Sequence, residues 1–373
     1  MEVVTGSSSS SFGVHLQHWL TDKRARDQFL IQCSVDLEIY WNIGAGHLKP
    51  ELFDHRTVKL IDFSVGEKYL VSYSEYDRKG AALKIFDVKS GEVKMVIERS
   101  QGEHATGGIA GIFQVSWPIF RWSGRNDDKY FARIGKNAIY IYETKTFGLI
   151  DNEPLKAENV MDFCWSPTDP VIALFVPTDA DEMQPARVSL IHVPNKEELK
   201  KKNLNGVRDC KMFWQSNGEY LAVLFNQFIG TRNTTYQRFV IFGIKDPGIP
   251  VEDFELENEN DMIIAFSWEP KGQRFAVIHA LDQRQNVNFY SVIKAHNRFQ
   301  FSKLVTLEVE QAAIERFMAT NIEWSPTGRY VATIRTLSDD LDVRQEEFQE
   351  GVMIWSFFGV LLYQIPRRHF TQV

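Results

Sequence analysis

The sequence predicts an all-β fold, a WD40-like β-propeller of about seven four-stranded blades, and three observations predict it. A short aromatic hairpin recurs down the chain. Its spacing is that of a propeller blade. Helix-period patterning is almost absent, which excludes helical solenoids.

The recurring hairpin has a fixed grammar. Apolar and polar residues alternate up to an aromatic, then comes a turn, then a second apolar strand. Phe63, Trp122, Trp165, Trp214, Trp268 and Trp324 occupy the aromatic position. The turn after Trp324 reads Ser325-Pro326-Thr327-Gly328, the residues a type I turn prefers. From Trp122 onward the aromatic recurs after 43, 49, 54 and 56 residues, against a blade repeat of about 40–45 with extra residues placed in loops. At a recurring blade position, these rings are expected to pack between neighbouring blades and to serve as structural anchors rather than as ligand platforms.

The elements follow in order. Residues 1–13 form a serine-rich tail expected to be disordered, with no apolar core of a signal peptide. The propeller runs over 14–373, with blade-like units at about 14–57, 58–115, 116–158, 159–205, 206–259, 260–312 and 313–373. The first is partial: Gln28–Ile31 and Leu37–Trp41 read as its second and third strands, with room for one more strand between Asn42 and Val58. In the others a third strand follows the hairpin, such as Leu83–Phe86, Ile139–Tyr142, Val188–Ile191, Phe239–Phe242, Val287–Tyr290 and Val352–Trp355. A fourth strand is visible at Val93–Ile97 and Phe147–Ile150.

Bulk properties narrow the function. The 373 residues carry a net charge of −7, so nucleic-acid contact is expected to be local rather than spread over the surface. The three cysteines, Cys33, Cys164 and Cys210, are far apart and odd in number, which argues against a disulfide framework and fits small core residues in a reducing compartment. No apolar run reaches the ~20 residues of a membrane span, and the expected location is cytoplasmic.

Chemistry-bearing motifs are not found. There is no Gly-x-Ser-x-Gly elbow, no Walker motif and no Gly-x-Gly-x-x-Gly. The nine histidines form no His-x-His or His-x-x-x-His pair. Gly107–Gly111 reads as a flexible loop, and Asp339-Asp340 as solvated carboxylates. No catalytic residue, metal, cofactor or small-molecule substrate is expected. Two charged runs remain. Asn195–Asn203 reads as a short helix capped by Asn195 with Glu198 in a capping box, and its Lys196, Lys200, Lys201 and Lys202 are candidates for contact with RNA phosphates. Glu252–Asp261 reads as a solvated acidic loop between blades, with docking to a basic protein as the alternative. Arg367-Arg368-His369 is a weaker basic spot.

Longer stretches carry a family resemblance. They include Leu16-Gln17-His18-Trp19-Leu20-Thr21-Asp22, Lys129-Tyr130-Phe131-Ala132-Arg133-Ile134-Gly135-Lys136-Asn137, Trp165-Ser166-Pro167-Thr168-Asp169-Pro170 and Trp214-Gln215-Ser216-Asn217-Gly218-Glu219-Tyr220-Leu221-Ala222. In this ordered set the chain resembles the propeller in the B subunit of eukaryotic translation initiation factor 3, in a plant-like and shortened version. The resemblance implies a non-catalytic scaffold whose partners are the small ribosomal subunit and sister subunits of the factor. It also implies blade-sized losses between Asn42 and Val58 and around Gln311–Phe317, which leave ring closure open. Two other readings stand beside it: a general propeller adaptor for another complex, and a propeller like that of initiation factor 2A.

Overall fold

The computed structural model describes residues 28–32, 37–41, 50–53, 55, 58–77, 80–88, 90–98, 118–124, 128–178, 184–229, 234–256, 261–281, 284–295, 298–307, 319–335 and 351–366. The serine-rich tail, Cys33, Gly107–Gly111, Gln311–Phe317, Asp339-Asp340 and Arg367-Arg368-His369 lie outside these residues.

The fold is all-β and propeller-like; apart from one 3₁₀ turn at Ile150–Asn152, the regular elements among the described residues are strands. The first sheet holds β1 (Gln28–Gln32), β2 (Leu37–Trp41) and β3 (Pro50–Phe53). The second holds β4 (Val58–Phe63), β5 (Tyr69–Asp77), β6 (Gly80–Asp87) and β7 (Val93–Glu98). The third holds β8 (Arg121–Trp122), β9 (Tyr130–Gly135), β10 (Ala138–Glu143) and β11 (Gly148–Leu149), with β12 (Leu155–Lys156) also on β10. The fourth runs β13 (Asp162–Trp165), β14 (Val171–Val176), β15 (Ala186–His192) and β16 (Glu197–Leu204). The fifth runs β17 (Val207–Trp214), β18 (Tyr220–Ile229), β19 (Thr234–Gly243) and β20 (Val251–Phe254). The sixth runs β21 (Met262–Trp268), β22 (Arg274–Leu281), β23 (Arg284–Ala295) and β24 (Arg298–Thr306). The seventh runs β25 (Asn321–Trp324), β26 (Tyr330–Arg335), β27 (Gly351–Ser356) and β28 (Leu361–Pro366). Paired strands run antiparallel, as β5 does with β6, β18 with β19, β22 with β23 and β26 with β27. Neighbours in the chain are neighbours in the sheet, the meander of a blade.

The chain divides into two compact units, Met1–Trp165 and Ser166–Val373. In the first, Val71, Leu83, Ile85, Phe120, Trp122, Phe131 and Tyr142 form one apolar cluster. In the second, Tyr220, Phe239, Phe266, Trp268, Phe275 and Phe299 form another, and Ile278, Phe289, Ile322, Val331 and Trp355 a third. Some of their rings meet edge-on, as Phe266 does on Trp268 at 5.2 Å, and others stack, as Phe131 does on Tyr142 at 4.9 Å; ring quadrupoles favour edge-on and offset-stacked pairs.

The turn of the recurring hairpin forms for the reason its residues suggest. Gly218 and Gly328 each donate their N–H to the residue three before, Gln215 and Ser325, at 2.8 Å, closing the turn. Each glycine then takes a positive φ of 70°, where a side chain is strained. A Cβ on Gly328 would also stand 2.6 Å from Glu269 Oε1 of the sheet before it.

Two sequence expectations fail. Asn195–Asn203 is not a helix: Glu197–Leu204 is β16, paired with β15 so that Leu190 faces Lys200 and Val188 faces Lys202. Asn195 sits in the hairpin turn, with Oδ1 2.7 Å from His192 Nδ1. Glu252–Asp261 is not a solvated loop throughout. Glu252 and Asp253 belong to β20, and the Asp261 carboxylate is buried 2.6 Å from His279 Nδ1. Cys164 and Cys210 are half-buried strand residues rather than fully enclosed ones.

Candidate functional site

The sequence points to surfaces rather than to a catalytic cleft, so the site question is which residues join the sheets and which remain for partners. The joins come first. In unit one, Trp165 Nε1 donates to the carbonyl of Arg121 at 2.8 Å. In unit two, Trp268 Nε1 donates to the carbonyl of Phe213 at 2.8 Å, and Trp324 Nε1 to that of Ser267 at 3.2 Å. Arg121, Phe213 and Ser267 each stand one residue before the tryptophan of the preceding sheet. The same bond is therefore made three times, from one aromatic position to the backbone beside the previous one. A tyrosine near the start of the second strand completes the seat. Tyr69 stacks on Trp122 at 5.2 Å, Tyr130 on Trp165 at 6.4 Å and Tyr220 on Trp268 at 5.8 Å.

Trp122, Trp165 and Trp268 are buried, while Phe63, Trp214 and Trp324 are half-buried. Trp122 differs from Trp165, Trp268 and Trp324 in having a buried Nε1 with no hydrogen-bond partner among the described residues. Its ring is held by Tyr69 and, at 4.9 Å, by Phe131. A second set of contacts, at the turns, follows the same order. Ser64 Oγ donates to Asp128 at 2.7 Å, Thr168 Oγ1 lies 3.2 Å from the Asn217 carbonyl, and Gln215 Nε2 donates to the Gly272 carbonyl. Sequence reasoning found the tryptophans but missed their tyrosine seats and the turn contacts of Ser64, Thr168 and Gln215. The signal was present, since Tyr69, Tyr220 and Tyr330 all stand six residues after the aromatic.

The candidate lysines lie on and beside β16, the outer strand of the fourth sheet. Lys196 is in the turn before it, at a φ of 56°. Lys200 Nζ donates to the carbonyl of Gly248 at 2.8 Å, and Lys202 Nζ lies 3.7 Å from Asp253. Both therefore reach the fifth sheet, as residues two apart on a strand must share a face. Lys201 is on the opposite face and exposed. The four do not form one basic patch. A phosphate approaching Lys202 also meets the Asp253 carboxylate, which cancels part of the attraction.

A stronger charge cluster lies at the turns of the fifth and sixth sheets. Lys294 Nζ stands 2.6 Å from Glu219 and 3.1 Å from Asp246, over the ring of Tyr220 at 5.6 Å. Burial opposes the Lys294 charge, but the two carboxylate hydrogen bonds outweigh it and raise its pKa. Burial, and then the Glu219 charge, push the Tyr220 phenol up to about 12. Lys294, Glu219 and Asp246 pair with one another, which makes the cluster a clasp between sheets. Among the described residues no group of three or more His, Cys, Asp or Glu is placed to hold a metal ion. No helix among them is long and apolar enough to cross a membrane.

A family model described as eukaryotic translation initiation factor eIF2A matches residues 202–308 and 298–373. The two stretches overlap on the segment of β24, beside the place where a blade is expected to be cut out. Curated relatives named as the B subunit of eukaryotic translation initiation factor 3 match nearly the whole chain. The tobacco protein is 42% identical over 96% of this chain and 61% of its own length. The Arabidopsis thaliana protein is 41% identical over 97% and 62%. The Aedes aegypti protein is 32% identical over 89% and 50%. The chain thus spans between half and two thirds of these relatives. The tobacco alignment is 447 positions long although it uses only 96% of 373 residues. Roughly 90 positions of the relative therefore face gaps in this chain, about two repeats of 40–45 residues. A solved structure titled as a eukaryotic initiation factor aligns with a TM-score of 0.52 at 17% identity, covering 91% of this chain and 85% of that one, which speaks to the fold.

Proposed function

Because the chain is homologous along nearly its whole length to the B subunit of eukaryotic translation initiation factor 3, we propose that it is a non-catalytic propeller scaffold in translation initiation. On this reading it docks to the small ribosomal subunit and to sister subunits of the factor, with local rather than global contact to RNA. The observation that carries the proposal is the 42% identity spread over 96% of the chain. The net charge of −7 supports local contact, because a net-negative surface repels RNA everywhere except at local basic spots. Of the candidate lysines, Lys201 is the one best suited to a phosphate, since Lys200 and Lys202 are turned to the fifth sheet.

The test is affinity purification of the tagged chain from plant cells, with partners identified by mass spectrometry. Recovery of sister subunits and small-subunit ribosomal proteins is the expected result. Recovery of chaperones alone contradicts it. The match of residues 202–373 to the eIF2A family favours a second reading, a propeller acting in initiation outside the multi-subunit factor. That reading predicts ribosomal proteins without sister subunits in the same purification. A general adaptor predicts neither.

A further inference from the structure

The face of the fourth sheet that turns away from the fifth carries two cations. β15 and β16 pair so that Ser189 lies opposite Lys201 and Arg187 opposite Asn203. The register is regular here, and the bulge falls past it, between Leu190 and Ile191. Arg187 and Lys201 are therefore diagonal neighbours on one face, roughly 7–8 Å apart at the backbone and within reach of each other's long side chains. Lys201 and Asn203 are exposed, and Arg187 is half-buried.

The fold does not use these cations. Among the described residues, Arg187, Lys201 and Asn203 make no side-chain hydrogen bond, and the two cations make no ion pair or ring contact. Other half-buried cations have carboxylates. Arg121 has Asp162 at 2.6 Å, Arg238 has Glu255 at 3.0 Å and Arg274 has Glu269 at 2.7 Å. Withdrawing a guanidinium partly from water without giving it a partner is unfavourable, so the place of Arg187 on β15 calls for an anion from outside. The acids of β16 stand at the far end of the strand. Glu197 and Glu198 lie opposite His192 and Ile191, and Glu197 accepts from Asn195 Nδ2 at 3.1 Å.

We infer that Arg187 and Lys201 form a phosphate-binding site for the backbone of RNA, with Asn203 donating its amide N–H to the same group. This gives the local RNA contact proposed above its residues, and it rests on that reading. The chemistry selects a phosphodiester. A planar guanidinium offers parallel N–H donors to two phosphate oxygens, and the neighbouring ammonium adds a mobile point charge. Lys200 and Lys202 do not join the site, since they reach Gly248 and Asp253 of the fifth sheet. Lys201 by itself is a single solvated charge; Arg187 beside it supplies the fixed, directional donors. A contact of this kind holds the RNA backbone without reading its sequence.

The measurement is fluorescence anisotropy of a labelled oligouridylate with the purified full chain over a salt series. Wild type is expected to bind, with log K falling linearly as log salt rises. Arg187→Gln and Lys201→Gln each flatten that slope by about 0.7, and the double variant by about 1.4, since each removes one phosphate contact on a single strand. Arg187→Lys keeps the wild-type slope and binds more weakly, because the charge stays and the paired donors go. Lys271→Gln, at an exposed lysine in the turn after Trp268, leaves the slope unchanged. A wild-type chain that does not bind the RNA at low salt overturns the inference, and so does a loss in Lys271→Gln equal to that in Arg187→Gln. The connection from β14 to β15 carries Asp179, Asp181 and Glu182, outside the described residues. Were one of them the partner of Arg187, Arg187→Gln would lower the thermal midpoint and leave the RNA slope as in wild type, which overturns the inference too. Preference for a phosphoserine peptide over the oligouridylate, lost in Arg187→Gln, gives the site another ligand and counts equally against it. Co-sedimentation of wild type with small ribosomal subunits, beside an unchanged RNA slope in Arg187→Gln, removes this site and leaves the scaffold reading. A flattened slope without co-sedimentation does the reverse.

Discussion

β16 and β28 occupy the same place in their sheets, outermost in a four-strand meander, and present opposite surfaces. β16 reads Glu-Glu-Leu-Lys-Lys-Lys-Asn-Leu, and its half-buried lysines reach across to the fifth sheet. β28 reads Leu-Leu-Tyr-Gln-Ile-Pro, and Leu361 to Tyr363 are exposed. Neither strand carries a Trp anchor. What the pair teaches is a division of labour. The inner strands hold the sheets together through a repeated indole-to-carbonyl bond, and that requirement fixes their residues. The outer strands are released from it, so their chemistry is free to serve whatever docks on them.

The largest expected effect checks that division directly. Trp268→Ala removes a buried ring and its bond to Phe213, and is expected to lower stability by about 3–5 kcal/mol in a thermal or denaturant melt. Substitutions at exposed outer positions, Lys201→Glu or Tyr363→Lys, are expected to stay within about 0.5 kcal/mol of wild type. Outer-strand changes as costly as the inner one would erase the distinction. Next in size is Arg274→Ala. It strips the buried Glu269 carboxylate of a guanidinium 2.7 Å away, and breaking such a pair costs about 3 kcal/mol or less at this partly exposed arginine. Lys200→Ala, which loses the bond to Gly248, is expected to cost about 0.5–1.5 kcal/mol, whereas Lys201→Ala costs nothing measurable. A reversed order would mean that β16 faces its neighbour with the other side.

The smallest effect is a pH dependence. The Tyr220 phenol ordinarily loses its proton near 10 and is pushed up to about 12 in the fold. Between those values the unfolded chain has released the proton and the folded chain still holds it. Stability contributed by this group is therefore complete below pH 10 and is lost as pH rises towards 12. A melt series over that window should fall more steeply for wild type than for Tyr220→Phe.

Much of the fold was legible, and unevenly so. The hairpins of Trp165, Trp214, Trp268 and Trp324 could be read because turn residues, alternation and a ring fall at fixed offsets, all local signals that agree. β16 was not legible for the opposite reason. Asn-Lys-Glu-Glu-Leu-Lys-Lys-Lys has good helix formers and a capping pattern, yet the strand forms because Val188 and Leu190 of β15 are buried and need an antiparallel neighbour. The half-buried, exposed alternation of Lys200 to Asn203 is visible only once the pairing is known. Asp261 misled in a similar way. Nothing in its acidic surroundings announces a buried histidine partner at position 279. Of the candidate site, the lysines were named as residues, but their split over two faces is a property of the strand and not of the charge run.

Co-sedimentation with purified small ribosomal subunits, over a series of salt concentrations, tests the scaffold reading most directly. The wild-type chain is expected to pellet with the subunits at low salt and to be released as salt rises. Lys201→Glu is expected to lower the bound fraction and flatten the salt dependence, while Tyr363→Lys binds as wild type does. A folded wild-type chain that stays in the supernatant at every salt concentration would contradict it.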